Sequence, residues 1–282
     1  MDNDFTRCAA LVREADRDRY LAALFAPADK RDALFALYAF NVEIARVRDV
    51  AREPMPGEIR LQWWREALEG KRDGEARAHP VAAALRATLA RYAIAPERLV
   101  ALIDAHRFDL YDEPMATLDE LEQYAVATQS VPIDLAAEIL GGGDGLAALT
   151  RQAGIACAVV AILLDFARHA ARRQLFVPLE LMQRHGVDRA DIFAGRDSGP
   201  LKAALAELRE HARRALAAAR AAAGAALPGN LPALLPLATV GPTLRRMERR
   251  GYAPFRPEPL SRLRRQWLLW RAARDPKRIF EG

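Results

Sequence analysis

Residues 33–49, ALFALYAFNVEIARVRD, are the most informative stretch of the sequence for the fold. Apolar side chains recur at helical spacing between Leu34 and Ile44, so the stretch predicts a largely buried helix within residues 28–52. A buried helix rarely carries much charge, yet this one carries three charged side chains near its end. They are Glu43, Arg46 and Asp49.

A second stretch, GIACAVVAILLDFARHAARRQLFVP at residues 154–178, looks like a counterpart of the first. It is apolar at its start and then becomes polar at Asp165, Arg168 and His169. We expect a helix over about residues 145–172. If the two helices face each other, Asp49 and Asp165 point into one cavity.

The composition indicates helices rather than strands. The chain has 282 residues, of which 51% are hydrophobic, and Ala and Leu are abundant. No run of alternating Val, Ile and Thr stands out. We therefore predict an all-α fold, a bundle of about a dozen helices that forms a single domain over residues 1–282.

The cysteines and the first residues suggest a compartment. Cys8 and Cys157 are far apart and lack metal-ligand spacing, which favours a reducing environment. The opening residues, MDNDFTR, are acidic and unlike a signal peptide or an Arg-rich presequence. No apolar run, even at residues 156–164, is expected to reach the length of a membrane span. We expect a cytoplasmic protein, either soluble or peripheral on the inner membrane.

Local signals predict where some elements begin. Asp16 or Asp18 can cap a short helix, and Thr117 with Glu120 has the spacing of a capping box. Residues 71–79, KRDGEARAH, are polar and are interpreted as a flexible linker.

Four segments in order resemble the signatures of the squalene and phytoene synthase family. They are YAFNVEIARVRD at residues 38–49, LIDAHRFDLYDEPMATLDELEQY at residues 102–124, ILLDFARHAARRQLFVP at residues 162–178 and RRMERRGYAPF at residues 245–255. The resemblance covers essentially the whole chain and implies the isoprenoid synthase fold. It also implies an enzyme that joins two prenyl diphosphates, with Mg²⁺ held by Asp-rich motifs.

The Asp-rich motifs are eroded in this chain. In the first, the paired Asp residues of the family are Ala45 and Arg46, and only Asp49 survives. In the second, Asp165 survives, but the final Asp is His169. Ala158 and Ala161 also replace polar residues there. The resemblance therefore leaves no confident catalytic residue, only Asp49 and Asp165 as vestigial catalytic or metal-binding candidates. We expect no cofactor, with Mg²⁺ required if the chain is an enzyme.

Several residues remain as substrate or lipid-binding candidates, each with a plainer interpretation. Glu43, Arg46 and Asp49 can form an intrahelical salt-bridge ladder. Asp165 and His169 can bind a transition metal, although a hydrogen bond between them is the favoured interpretation. The candidates are Tyr38, Glu43, Arg46, Asp109, Tyr124 and His169. Tyr38 and Tyr124 match family positions near the prenyl chain, but tyrosines at helical spacing are more often core.

Two surfaces are candidates for a membrane or a partner. Trp63 and Trp64 are adjacent on one predicted helix, so one of them should be partly exposed. The part from about residue 242 is basic and contains Arg264, Arg265, Trp267 and Trp270, which fits an anionic membrane surface. An Arg-rich solvated helix end explains it equally well. No nucleic-acid motif accompanies this charge, so nucleic acid is not an expected partner.

Within the family, the chain is most similar to the branch that includes a mitochondrial respiratory complex I assembly factor. The segments that carry this similarity are AFNVEIARVRD, LQWWREAL and RRQLFVPLELMQRHGV. The resemblance implies a protein without prenyltransferase activity that acts in complex I assembly, with complex I subunits or a membrane surface as partners. The first alternative is a Mg²⁺-dependent prenyl diphosphate transferase that uses Asp49 and Asp165, with Asp109 as a further candidate. The second is a protein that binds an isoprenoid lipid or a quinone.

Overall fold

The computed structural model describes residues 2–51, 53–142, 145–224 and 227–281. These residues contain eighteen α-helices and no β-strand, which confirms the all-α prediction. The helices are α1 (Asp2–Ala15), α2 (Arg17–Ala23), α3 (Ala28–Ala45), α4 (Val47–Val50), α5 (Pro54–Leu68), α6 (Asp73–Ala78), α7 (Pro80–Tyr92), α8 (Glu97–Ala105), α9 (Leu118–Ala125), α10 (Val131–Leu140), α11 (Ala147–Leu164), α12 (Phe166–Ala171), α13 (Leu179–Arg184), α14 (Arg189–Phe193), α15 (Gly199–Ala222), α16 (Leu227–Leu234), α17 (Val240–Met247) and α18 (Arg262–Arg274).

The described residues group into two compact units, each built from three segments of the chain. The first unit takes the described residues of Met1–Tyr111, Val131–Leu146 and Ala225–Pro236. The second takes those of Asp112–Ser130, Ala147–Gly224 and Leu237–Gly282. The single domain over residues 1–282 stays a prediction.

Helix α3 forms the centre of the first unit, where it packs against α1, α7 and α10. Between Ala33 and Val42 every residue of α3 is buried, because apolar side chains cover all of its faces. Phe40 meets Trp64 of α5 in a T-shaped contact with the ring centroids 5.3 Å apart. This aromatic pair ties the helix that carries Glu43 to α5.

Helix α11 forms the centre of the second unit and packs along α15. It also lies against a π-helical turn at Val126–Ser130. The Ser130 hydroxyl donates a hydrogen bond of 2.9 Å to the carbonyl of Arg151 on α11. Gly154 permits this approach, since a Cβ atom there would lie 2.1 Å from Ser130 Oγ. This contact fixes the first half of α11 against the turn, and π-helical turns of this kind recur at functional sites.

Both predicted site helices are interrupted at their charged residues. The helix predicted for residues 28–52 ends at Ala45, Arg46 forms a turn, and α4 follows; Arg52 lies outside the described residues. The helix predicted for residues 145–172 is present as α11 and α12, with a bend at Asp165. Both predicted caps are present, and the first is Asp16 rather than Asp18. Asp16 accepts from the Arg19 N–H at 3.1 Å, and Thr117 accepts from the Glu120 N–H at 3.2 Å.

Two sequence-based expectations were wrong. Residues 71–79 are not a flexible linker, because α6 forms there and Asp73 makes ion pairs with Arg77 and Arg86, both at 2.5 Å. The expectation that no apolar run reaches the length of a membrane span was also wrong. By length and composition, helix α11 could cross a membrane, although residues 156–164 alone are too short. Because 61% of that helix is buried inside the protein, its length is weak evidence for a membrane span.

Candidate functional site

The turn between α3 and α4 carries the remains of the first acidic motif. Ala45, Arg46 and Asp49 are exposed there, and Glu43 is partly buried. The predicted salt-bridge ladder was wrong: among the described residues, Arg46 makes no ion pair with Glu43 or Asp49. The physical reason is the end of α3 at Ala45, since the turn at Arg46 breaks the helical register that the ladder requires.

Glu43 instead acts on a histidine that the sequence interpretation missed. Burial lowers the pKa of His79, and the charge of Glu43 partly opposes that change. The His79 ring packs against the rings of Trp63 and Trp64 at 5.2 Å and 5.1 Å between centroids. Its Nδ1 accepts a hydrogen bond of 3.3 Å from the Ala82 N–H at the start of α7. The only available signal was its position just before Pro80, where a capping residue is expected.

Two further candidates of the first unit differ in burial, since Tyr38 is buried and Asp109 is partly buried. Tyr38 is 2% exposed, and burial raises the pKa of its hydroxyl. The Arg19 guanidinium lies over the Tyr38 ring at 5.5 Å. Asp109 lies 2.6 Å from Nδ1 of the buried His106. Tyr38 therefore matches its plainer interpretation as a core residue.

The second unit carries the other acidic motif at the bend between α11 and α12. The Asp165 carboxylate pairs with Arg168 one turn later, at 2.7 Å. Arg168, and not His169, is the partner found for this carboxylate, so the expected hydrogen bond to His169 was wrong. The His169 ring instead packs on Phe176 at 4.4 Å between centroids, and Tyr124 lies on Phe176 at 5.6 Å. Phe176 was not among the predicted site residues, since an apolar position after a polar turn is typical of any core.

The donor set does not fit a cluster of metal ions. Over the described residues, no group of three or more His, Cys, Asp or Glu side chains is placed to hold a metal ion. Mg²⁺ takes six oxygen ligands in octahedral geometry and usually keeps several waters, so one or two carboxylates can bind a single ion, whereas a cluster of ions needs more carboxylates. Of the two surviving candidates, Asp165 is already paired with Arg168. That Asp49 and Asp165 share one cavity stays a prediction, as does the absence of a cofactor.

The predicted aromatic surfaces differ from each other in exposure. Trp64 is 1% exposed, so it cannot belong to an external surface, and Trp63 is partly exposed but donates to Glu75 at 2.8 Å. On α18, by contrast, Trp267 and Trp270 are 50% and 43% exposed. With Leu263 they form an apolar stripe at helical spacing, while Leu268 and Leu269 anchor the opposite face.

Arginines frame this α18 stripe, which consists of Leu263, Trp267 and Trp270. The Arg271 guanidinium lies 4.7 Å from the centre of the Trp267 ring, and that of Arg274 lies 3.9 Å from the Trp270 ring. Arg264 is exposed and Arg265 is partly buried at the start of the helix. The stripe therefore presents aromatic rings and positive charge together.

Comparisons with known proteins agree with the predicted resemblance. The family model described as squalene/phytoene synthase matches residues 12–271. A relative from Homo sapiens, NADH dehydrogenase (ubiquinone) complex I, assembly factor 6, is 30% identical over 251 residues, which are 89% of this chain and 75% of that protein. A phytoene synthase from Thermus thermophilus is 27% identical over 218 residues, which are 76% of this chain and 72% of that enzyme.

Solved structures share the fold. A dehydrosqualene synthase in complex with a ligand has a TM-score of 0.78 and 18% identity, with 98% of this chain and 97% of that chain covered. A squalene synthase from Alicyclobacillus acidocaldarius has a TM-score of 0.70 and 22% identity, with 96% and 94% covered. The chain thus has the isoprenoid synthase fold. Because the family model spans nearly all of its residues, the chain belongs to the squalene/phytoene synthase family.

Proposed function

We propose that this chain is a family member without prenyltransferase activity that acts in the assembly of respiratory complex I at a membrane surface. The observation that carries the first part is the reduced donor set, because the described residues provide no group of three metal-binding side chains. A prenyl transfer breaks the bond to a diphosphate, and metal ions must neutralise the leaving group.

The energy of the Asp165–Arg168 ion pair shows whether this pair or the missing ligands argue more strongly against metal binding. The Asp165–Arg168 pair is about half exposed, so it contributes only about 0–1 kcal/mol and would yield to a metal ion. A metal ion cannot overcome the replacement of acidic ligands by Ala45 and Arg46. The methyl group of Ala45 offers no oxygen, and the guanidinium of Arg46 repels Mg²⁺. Missing ligands, rather than the ion pair, argue against catalysis.

The role in complex I assembly is supported by the human relative, whose name states that role. The level of identity and the coverage of both chains support a shared role. We further propose that complex I subunits are the partners and that the protein is cytoplasmic and peripheral on the inner membrane.

The α18 stripe supports the membrane contact. Exposed tryptophans favour the interface between lipid tails and headgroups, and nearby arginines favour anionic lipids. The occupant we propose is therefore an anionic phospholipid surface. Trp267→Ser/Trp270→Ser should reduce binding to vesicles that contain phosphatidylglycerol. Trp63→Phe, on another helix, is the control that should leave binding unchanged.

Incubation of the purified chain with farnesyl or geranylgeranyl diphosphate and Mg²⁺ tests the absence of transfer. We expect no squalene-like or phytoene-like product. A product whose formation requires Asp49, as shown by its loss in Asp49→Asn, would support the alternative of a Mg²⁺-dependent transferase. That second candidate is favoured by the survival of Asp49 and Asp165.

Deletion of the gene in its own organism tests the biological role. We expect lower complex I activity with unchanged carotenoid and hopanoid content, restored by the wild-type gene and by Asp49→Asn. Loss of the isoprenoids with normal complex I would contradict the proposal. Native mass spectrometry of the purified chain tests the remaining alternative, a bound isoprenoid lipid or quinone, which would appear as an added mass.

A further inference from the structure

A basic pocket lies in the second unit, directly after α17. It belongs to the basic part from about residue 242, but it is not part of the α18 stripe. Its volume is about 340 Å³. Tight turns build its wall: the Arg249 N–H donates to the Arg246 carbonyl at 3.3 Å and the Tyr252 N–H to the Arg249 carbonyl at 3.0 Å. Gly251 adopts a φ of +89°, which a residue with a side chain rarely adopts. The side chains that matter are Arg246, Arg249, Arg250, Tyr252, Arg256 and Glu258.

The charge of this pocket is not balanced by the protein. Four arginines and one glutamate line it, and Glu258 pairs with Arg246 at 2.6 Å. Within the described part of the chain, Arg249, Arg250 and Arg256 have no carboxylate partner. Other arginines of the same unit do have one, such as Arg168 with Asp165 and Arg213 with Glu248. The pocket therefore concentrates positive charge in a concave site, which strengthens the field felt by an anion.

We propose that this pocket binds a phosphate-bearing anion. A guanidinium presents two parallel N–H groups that match a phosphate, and three such groups without partners suit a ligand with several negative charges. The Tyr252 hydroxyl is partly buried at the same wall and adds a neutral donor.

Two sources can supply this chemistry: a soluble phosphate compound or the headgroup of an anionic phospholipid. Glu258 and Leu263 are five residues apart, so they lie within about 18 Å of each other even in an extended chain. The pocket can therefore act beside the α18 stripe. The experiment distinguishes the two sources by measuring pyrophosphate binding and vesicle binding separately.

Isothermal titration of the full chain with inorganic pyrophosphate, without divalent metal, tests the site. Arg249→Gln/Arg256→Gln should weaken binding by about tenfold or more, since it removes two charge-assisted contacts. Arg214→Gln/Arg220→Gln is the matched control, because it removes the same charge from exposed arginines of α15, and it should change affinity by less than about twofold. Glu258→Gln should strengthen binding, an outcome that poor folding cannot mimic.

The second arm measures sedimentation with phosphatidylcholine vesicles that contain phosphatidylglycerol. Loss of both pyrophosphate and vesicle binding in the Arg249/Arg256 variant supports a headgroup ligand, and loss of pyrophosphate binding alone supports a soluble one. If the Arg249/Arg256 variant loses vesicle binding but keeps pyrophosphate binding, the result also supports a headgroup ligand. The proposal is overturned if this variant matches the Arg214/Arg220 control in both arms, whether or not the wild type binds.

Discussion

Gly154→Ala tests whether the close contact between α11 and the π-helical turn shapes the second unit. In a helix interior this substitution ordinarily stabilises a protein by about 1 kcal/mol. Here the new Cβ would lie 2.1 Å from Ser130 Oγ, 2.4 Å from its backbone nitrogen and 2.5 Å from its Cα. Two of these atoms belong to the backbone, so the helix itself must move.

The expected result follows from the two opposing terms. Overpacking against backbone costs about 2–3 kcal/mol, at the upper end of the usual range, which leaves a net loss of about 1–2 kcal/mol. The melting temperature should fall by about 2–8 °C. Urea unfolding followed by circular dichroism measures the free energy, and calorimetry measures the temperature.

Two further variants make the result specific. Gly199→Ala, at the start of α15, places a Cβ atom in open space and should be neutral or slightly stabilising. Adding Ser130→Ala to Gly154→Ala should recover little stability, because the backbone atoms of residue 130 stay in place. A Gly154→Ala protein as stable as the wild type would refute the reasoning.

Three other predictions concern burial. Burial lowers the pKa of His79 below its usual 6.5, so the unfolded chain binds a proton at this residue more readily than the folded protein. The unfolding free energy should therefore fall from about pH 7.5 to about pH 5.5, and it should fall more in the wild type than in His79→Gln. Urea unfolding curves at the two pH values measure this difference. Burial raises the pKa of the Cys8 thiol to about 12, so a maleimide should label Cys157 first, as peptide mass spectrometry of the folded protein will show; faster labelling of Cys8 would contradict its burial. Trp64→Ala should cost about 3–5 kcal/mol in urea unfolding, and equal losses for Trp63→Ala would refute the assigned burial.

The all-α fold and the family were predictable because they depend on local and repeated signals. Apolar spacing located α3 and α11, and side-chain oxygens at Asp16 and Thr117 marked helix starts. These interactions join residues that are close in sequence. No long-range knowledge was needed to predict them.

The errors came from contacts between distant segments or from competition within one turn. Helix α6 was missed because its polar residues gain partners only when α5 and α7 lie beside it, as with Trp63 and Glu75. His79 was missed for the same reason, since its aromatic neighbours come from α5. At Asp165 the sequence offered Arg168 and His169 as partners, and spacing alone could not rank them.

Because both acidic motifs are eroded, a single substitution cannot restore the metal ligands of the family motif. Arg46→Asp changes the local charge by two units toward that of the family motif, yet Ala45 still offers no oxygen to a metal ion. In the second motif His169 packs on Phe176, so a carboxylate there would have to displace an aromatic contact as well as gain a ligand. Each motif therefore needs several changes before its metal site improves. Under the proposed function the role depends on the fold and its surfaces, so these losses in the motifs leave it untouched.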